Sequence, residues 1–169
     1  MKRFLIATTA FALLAGQAFA ADSLKVDTSK NCSFTIKLRP DLAPKHVAQV
    51  TKLAAAGFYN GIIFHRVIDG FMAQTGDPTG TGMGGSKEPN LPAEFTKEHF
   101  GRGVVGMARS SEPNSANSQF FVMFADGGFL DGQYTVWGNV DEAGMKCVDQ
   151  IAKGEPPATP DKMTKVTVQ

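Results

Sequence analysis

The sequence predicts a mainly β fold, an antiparallel barrel whose ends are capped by two helices. Short segments rich in Val, Ile and Phe are separated by turn signals, which is typical of short strands. Eighteen glycines and nine prolines punctuate the chain. Only two segments carry apolar residues at helical spacing, so few helices are expected. No internal repeat or linker divides the chain, which predicts one folded domain.

The first two predicted strands form a hairpin. Apolar and polar residues alternate in SLKVDT (23–28) and again in CSFTIKL (32–38). This alternation places the apolar side chains on one face of a half-buried strand. The short polar link between the two segments predicts a tight turn.

Two helices and the remaining strands follow. The first helix begins at Pro44, where the missing N–H of proline costs nothing, and Gly57 ends it after Ala56. The second helix covers 144–153, with apolar residues three positions apart. Residues 77–92 are predicted to be loop. Strands are predicted at 62–68, with MAQTG (72–76) close behind, and at 103–108, 118–124, 134–140 and 165–169.

Residues 1–20 are predicted to be a cleaved secretory signal peptide and not part of the folded domain. Lys2 and Arg3 precede a short apolar stretch that ends in Ala18-Phe19-Ala20. The alternative is a membrane anchor, but the stretch is shorter than the ~20 residues that a spanning helix needs. We therefore expect a mature domain over 21–169. It would be exported without membrane insertion, to the periplasm in a Gram-negative source.

The charge balance argues against a polyanionic partner. Without the leader, 15 basic residues face 16 acidic ones, and no basic run occurs. Nucleic acid is therefore not an expected partner.

The two cysteines leave two alternatives open. Cys32 and Cys147 lie far apart in sequence and have no C-x-x-C spacing. Export permits a disulfide between them, but the pairing depends on their separation in space. Two buried free thiols fit the sequence equally well.

Several familiar motifs are excluded by their context. Gly80, Gly82 and Gly85 match G-x-G-x-x-G, but prolines follow where a nucleotide site needs a helix, so a tight surface loop is favoured. The three histidines have no metal-ligand spacing, and no serine-nucleophile motif occurs. His65 is expected to be a buried, hydrogen-bonded structural residue. Neither a metal nor a cofactor is expected.

Arg66 stands alone in the apolar run FHRVIDGFMAQTGD (64–77). Arginine is rarely buried without a partner. One interpretation is an ion pair across the sheet, with Asp69 or Asp77. The other is a functional site that needs one fixed cation beside apolar side chains.

Three blocks favour the second interpretation. YNGIIFHRVIDGFMAQTGDP, GVVGMARSSEPNSANSQFFVMFA and FLDGQYTVWGNV together resemble a cyclophilin, in the expected order and over nearly the whole mature chain. The resemblance implies a closed eight-stranded antiparallel β-barrel with a helix at each end. It also implies cis–trans isomerisation of peptide bonds that precede proline, without a cofactor.

The resemblance assigns roles to individual residues. Arg66 is expected to be the catalytic arginine, and Gln74 and Gln119 to hold Arg66 and the substrate backbone by hydrogen bonds. Ala108 is expected to line the groove for residues before the proline. The pocket for the proline ring is assigned to Phe71, Met72, Phe121 and Leu130.

Three positions depart from the family pattern. Phe129 replaces a tryptophan, so weak or no binding of the cyclic peptide cyclosporin is expected, because the indole N–H is missing. Tyr134 replaces a histidine at the pocket rim. Arg109 replaces an asparagine that binds substrate through its main chain, which is expected to shift substrate preference. Phe129 still supplies an apolar wall.

The expected function is that of a monomeric prolyl isomerase that acts on exported, folding polypeptides containing proline. The alternative is a non-catalytic module on the same fold that binds proline peptides or acts as a chaperone. Arg66 and Gln74 are both present, which favours the enzyme, because binding alone would tolerate their loss. The single tryptophan, Trp137, is expected to lie in the core.

Overall fold

Eight antiparallel strands form one curled sheet in the computed structural model, which describes residues 21–169. The predicted leader, 1–20, lies outside these residues. The strands are β1 Ser23–Thr28, β2 Ser33–Leu38, β3 Arg66–Ile68, β4 Met72–Thr75, β5 Val104–Met107, β6 Phe120–Met123, β7 Val136–Val140 and β8 Met163–Val168. Their order across the sheet is β3-β4-β6-β5-β7-β2-β1-β8. The predicted mainly β architecture is confirmed.

The closed barrel that the resemblance implied is wrong, because the sheet is an open half-barrel. β3 and β8 are its two edges, and no ladder joins them within residues 21–169. The segment before β3 meets the start of β8 through an isolated bridge between Ile63 and Lys162 and a few flanking backbone hydrogen bonds, such as that from the Phe64 N–H to the Asp161 carbonyl. A strand was predicted over 62–68, but β3 starts only at Arg66. The Ile62 N–H donates to the Tyr59 carbonyl in a turn instead of to a neighbouring strand, so β3 is too short to continue this pairing.

Two helices pack on the sheet. α1 spans Pro44–Ala55, close to its prediction, and Gly57 follows with a φ of +73° that favours glycine. α2 spans Glu142–Val148 and is shorter than the predicted 144–153. It begins earlier because the Asp141 carboxylate accepts a hydrogen bond of 2.7 Å from the Gly144 N–H and caps the helix. No helix within the described part of the chain is long and apolar enough to cross a bilayer.

Two apolar clusters lie on opposite faces of the sheet. Phe120 and Phe121 are neighbours in β6, and their side chains point to opposite faces. Phe120 joins the main core with the fully buried Trp137, as predicted for the tryptophan. Phe121 joins a smaller cluster whose buried members are Met72, Phe100, Phe121, Met123, Leu130 and Val136. This second cluster forms the base of the site described below.

Cys32 and Cys147 form a disulfide, which resolves the two alternatives that the sequence left open. Their Cα atoms are 5.7 Å apart, within the usual range for such a bond. The bond ties the residue before β2 to α2 across a sequence separation of 115.

Candidate active site

Strand register aligns the predicted catalytic residues in one row. Arg66 on β3 is the direct partner of Gln74 on β4, and Gln74 is the partner of Phe121 on β6. Phe121 is in turn opposite Gly106 on β5. Directly opposed residues share a face of the sheet, so a cation, an amide and an aromatic ring lie side by side.

Gly106 makes room for the ring of Phe121. A Cβ at this position would come within 2.5 Å of Phe121 Cζ and 2.6 Å of Phe100 Cε1. The two rings stack with centroids 5.8 Å apart. The glycine thus lets both rings lie against the backbone of β5 and support the site from below.

The row opens into a cavity of about 420 Å³. Every site residue that the sequence predicted lines this cavity, with the exception of Gln119, and Gln133 joins them. The cavity residues are Arg66, Phe71, Met72, Gln74, Ala108, Arg109, Phe121, Phe129, Leu130, Gln133 and Tyr134.

The apolar walls differ in depth. Met72, Phe121 and Leu130 are buried. Phe129 is 66% exposed at the mouth and contacts Phe71, with ring centroids 5.4 Å apart. The cavity therefore has a dry base and an aromatic rim.

Hydrogen bonds hold the guanidinium of Arg66 on two sides. Its Nη1 donates to Gln74 Oε1 at 3.4 Å, and its Nε donates to Glu155 Oε1 at 2.7 Å. The sequence offered Asp69 or Asp77 as the ion-pair partner, and that assignment is wrong. The ion pair and the cavity involve the same arginine, so the two interpretations of Arg66 are compatible.

Asp77 instead organises the glycine-rich loop. Its carboxylate accepts hydrogen bonds from the backbone N–H groups of Thr79, Gly82 and Gly84. Burial alone would raise the pKa of Asp77, but these bonds and the Thr79 hydroxyl outweigh it and lower the pKa to about 2. The loop predicted from the glycines is thus held tightly around one carboxylate.

Gln119 connects this loop to the row that contains Arg66 and Gln74. Its Nε2 donates to the carbonyls of Gly82 and Gly84 at 3.0 and 2.8 Å. Its Oε1 accepts from Gln74 Nε2 at 2.9 Å. Gln119 lines a second cavity of about 460 Å³, which shares Gln74, Ala108 and Arg109 with the first. The two cavities are therefore parts of one groove.

Arg109 is fixed where the two cavities meet. Its guanidinium lies 4.5 Å above the ring of Tyr134 and donates to the carbonyls of Gln133 and Ser110. Within residues 21–169, no carboxylate lies within ion-pair distance of it. Its positive charge thus stays at the groove.

His65 lies away from the cavity, beneath the glycine-rich loop. It is buried, as predicted, and burial lowers its pKa. Neither ring nitrogen has a hydrogen-bond partner of good geometry among the described residues. The same residues contain no cluster of three or more His, Cys, Asp or Glu that could hold a metal ion.

Sequence reasoning missed Glu155, Gly106 and Phe100. Gly106 lies inside a block that carried the resemblance, and the crowding around it could have been suspected from the glycine in a strand. Glu155 lies in KGEPPATP (153–160), where no spacing or motif points to Arg66. Glu155 and Arg66 are in contact only because this irregular segment runs along the edge of β3.

The chain is similar to known proteins over almost all of the described residues. A family model described as cyclophilin type peptidyl-prolyl cis-trans isomerase/CLD matches residues 23–168. A probable peptidyl-prolyl cis-trans isomerase of Brucella suis biovar 1 is 56% identical over 156 residues, covering 83% of this chain and 79% of the relative. A peptidyl-prolyl cis-trans isomerase-like 1 of Aspergillus oryzae is 43% identical over 137 residues, covering 78% of this chain and 82% of the relative.

Two solved structures share the fold. Cyclophilin AquaCyp293 from Hirschia baltica has a TM-score of 0.79 at 29% identity, covering 88% of this chain and 74% of that chain. A cyclophilin type peptidyl-prolyl cis-trans isomerase of Cryptosporidium parvum, crystallised in the presence of the dipeptide Ala-Pro, has a TM-score of 0.78 at 27% identity. That match covers 87% of this chain and 98% of the other.

Proposed function

The chain belongs to the cyclophilin-type peptidyl-prolyl cis-trans isomerases, and from this premise we propose that Arg66 accelerates X–Pro rotation in exported, folding polypeptides by stabilising the twisted amide. The observation that carries the proposal is the shared cavity: the guanidinium of Arg66 lines the same space as Met72, Phe121 and Leu130. A cation beside a dry apolar base is the arrangement that this reaction needs.

The chemistry requires a donor that prefers the twisted state. The nitrogen of a peptide bond shares its lone pair with the carbonyl, which sets a rotation barrier of ~18–20 kcal/mol. Halfway through the rotation this sharing is lost, and the nitrogen becomes pyramidal and basic. A fixed donor aimed at that nitrogen binds the twisted state better than either planar state, and this differential binding lowers the barrier.

Arginine suits the role because it stays charged and donates through a planar fork. Glu155 holds Nε and Gln74 holds Nη1, which leaves further N–H groups on Nη1 and Nη2 to meet the substrate. The step needs neither a nucleophile nor a proton transfer.

Arg66 alone is not enough to explain useful catalysis. Four decades of rate correspond to about 5.5 kcal/mol, at ~1.36 kcal/mol per decade. One charge-assisted hydrogen bond contributes only about 1.5–3 kcal/mol net. The apolar base must supply the remainder, by anchoring the proline ring while the acyl side turns and by excluding water from the arginine.

The second cavity is assigned to the residues before the proline. Gln74, Ala108 and Arg109 belong to both cavities, so an extended peptide with its proline over Phe121 continues into the space beside Gln119. The Cryptosporidium parvum relative crystallised with Ala-Pro is consistent with an X–Pro peptide as the ligand of this groove.

The exported context has independent support from the disulfide. Disulfides persist in oxidising compartments and are rare in the cytosol. The bond between Cys32 and Cys147 therefore agrees with the leader predicted over 1–20. The substrates we propose are polypeptides that fold in the same compartment.

A proline-peptide isomerisation assay tests the proposal on the mature form that starts at Ala21. Arg66→Ala should lower turnover by about one to two decades while peptide affinity is retained, because the apolar base stays intact. Arg39→Ala is the control, since Arg39 pairs with Asp41 and Glu98 and does not line the cavity. Equal turnover in Arg66→Ala and wild type would favour the alternative, a module that binds proline peptides without catalysis.

A further inference from the structure

We propose that Glu155 is a positioning residue for Arg66, which fixes the edge of the guanidinium that faces the cavity. The inference rests on the function proposed above and adds to it a residue that touches no substrate. Glu155 is not among the residues that line the cavity, although its Oε1 lies 2.7 Å from Nε of Arg66.

The contact with Glu155 is the shorter of the two that hold the arginine. Glu155 Oε1 lies 2.7 Å from Nε, whereas Gln74 Oε1 lies 3.4 Å from Nη1. Both bonds have a charged donor, but only Glu155 supplies a charged acceptor as well, and hydrogen bonds between a guanidinium and a carboxylate are the shorter and stronger kind. The carboxylate therefore defines the plane of the guanidinium more firmly than the amide does.

Occupation of Nε also selects which donors remain for a substrate. A guanidinium carries five N–H groups. With Nε and one N–H of Nη1 engaged within the described residues, the other three lie on Nη1 and Nη2 at the tip of the side chain. Without the carboxylate, the long side chain can rotate and present other edges.

The backbone holds Glu155 in place beside β3. The Val67 N–H donates to the Gly154 carbonyl and the Gly154 N–H to the Val67 carbonyl, both at 2.8 Å. Gly154 has a φ of +146°, which only glycine adopts readily. Lys153 is also held, 4.3 Å above the ring of Phe124 and bonded to the carbonyl of Ile151. The segment that carries Glu155 is thus anchored on both the strand and the core.

This ion pair is expected to contribute little to the stability of the fold. The side chains of Arg66 and Glu155 are 42% and 53% exposed, and exposed pairs contribute little to folding stability. An effect on turnover without an effect on stability therefore separates positioning from structure.

The experiment compares Glu155→Ala and Glu155→Gln with a control, Glu88→Ala. Glu88 forms an exposed pair with Lys52 on α1 at 2.7 Å, and it does not line either cavity. We expect Glu155→Ala to lower kcat about threefold to tenfold with KM nearly unchanged, since misorientation of a catalytic group slows the chemical step. Glu155→Gln retains an acceptor for Nε and should recover most of this loss. Glu88→Ala should match wild type, and all three should melt close to wild type.

A double-mutant cycle with Arg66→Lys completes the test. Lysine has no planar fork for Glu155 to orient, so Glu155→Ala should lower kcat much less in that background than in the wild type. An equal loss in both backgrounds would overturn the proposal, as would a kcat in Glu155→Ala equal to wild type. A kcat in Glu155→Gln as low as that in Glu155→Ala would also overturn positioning by a hydrogen bond. If Arg66→Ala leaves turnover intact, the proposed function itself is wrong. If Arg66→Ala lowers turnover but Glu155→Ala does not, only the positioning role of Glu155 is wrong.

Discussion

Gln119 Oε1 accepts a hydrogen bond of 2.9 Å from Gln74 Nε2, and this contact determines which end of the Gln74 amide faces Arg66. The Nε2 of Gln119 is committed to the carbonyls of Gly82 and Gly84, so only its oxygen is available to Gln74. Gln74 must then present its nitrogen to Gln119 and its oxygen to Arg66. The glycine-rich loop thereby sets the polarity of the hydrogen-bond chain that ends at Arg66.

This chain predicts that Gln119→Leu lowers turnover although the residue lies one step from Arg66. The Gln74 amide would lose its partner and could turn its nitrogen toward the guanidinium. One lost hydrogen bond of about 1 kcal/mol corresponds to roughly fivefold in kcat/KM. The isomerisation assay measures it, with Gln150→Leu as the control, because the Gln150 side chain bonds to the carbonyl of Lys146 on α2 and does not line either cavity. A Gln119→Leu variant with wild-type turnover would contradict the role of the chain.

Gly106→Ala is expected to damage both stability and peptide binding. The new methyl group would meet Phe121 Cζ at 2.5 Å and Phe100 Cε1 at 2.6 Å, so both rings must move. Overpacking of this kind costs about 1–3 kcal/mol. Displacement of Phe121 should also raise KM for proline peptides. Urea unfolding and the peptide assay report the two effects.

Gly101→Ala is the matched control for this substitution. Its Cβ would meet only His99 Cδ2, at an ordinary contact distance of 3.6 Å. We expect nearly wild-type stability from it. If Gly106→Ala unfolds at the same urea concentration as Gly101→Ala, the ring packing under the site is not as tight as described.

The sequence predicted local features well, because their causes are local. Alternation over 23–28 gave the bounds of β1 correctly, and Pro44 and Gly57 bracketed α1. The cavity residues other than Gln133 could be found because they lie within the three blocks that carry the family resemblance, on or next to neighbouring strands. The open edge of the barrel and the contact with Glu155 could not be found, because each depends on where irregular segments lie in space. The disulfide could not be predicted for the same reason, since separation along the sequence does not determine the distance between two cysteines in space.

His99 links two carboxylates that flank the short 3-10 helix Gly128–Leu130. Its Nδ1 lies 2.8 Å from Asp131 Oδ2 and its Nε2 lies 2.9 Å from Asp126 Oδ2. Hydrogen bonds to Asp131 and then to Asp126 raise the pKa of His99 above its ordinary value. The segment between the two aspartates carries Phe129 and Leu130 of the cavity, so this bridge steadies the rim.

Stability from this bridge should depend on pH with a defined sign. A raised pKa means that the folded protein binds the proton more tightly than the unfolded chain does. The stabilisation is therefore complete below the unfolded pKa of ~6.5 and is lost as the pH rises through the folded pKa. We expect His99→Gln to lower the melting temperature more at about pH 6 than at about pH 9. A difference that is larger at the alkaline pH would contradict this assignment.

The disulfide is expected to stabilise the fold without shaping the site. It closes a sequence separation of 115 between β2 and α2, and neither Cys32 nor Cys147 lines either cavity. Replacing both cysteines with serine should lower the free energy of unfolding by about 2–5 kcal/mol. Turnover at 25 °C should stay close to wild type, provided that the variant remains folded.

Reductant supplies the internal control for the disulfide. It should lower the urea midpoint of the wild type toward that of the double-serine variant and leave the variant itself unchanged. A wild-type midpoint that does not respond to complete reduction, verified by thiol titration, would show that the bond contributes no stability.

Phe129 makes the cavity rim apolar but gives it no donor, and this predicts the response to cyclosporin. The side chain is 66% exposed and its ring packs against Phe71 at the mouth, so a larger indole can extend into solvent without displacing the base. We expect weak or no binding by the wild type and a gain of about tenfold in affinity for Phe129→Trp, since one added hydrogen bond is worth about 1–1.5 kcal/mol. Phe129→Leu keeps the wall apolar without a donor and should not gain affinity. Calorimetric titration with cyclosporin measures the affinity of all three proteins. Equal affinity of Phe129→Trp and Phe129→Leu would show that the missing indole N–H is not what limits binding.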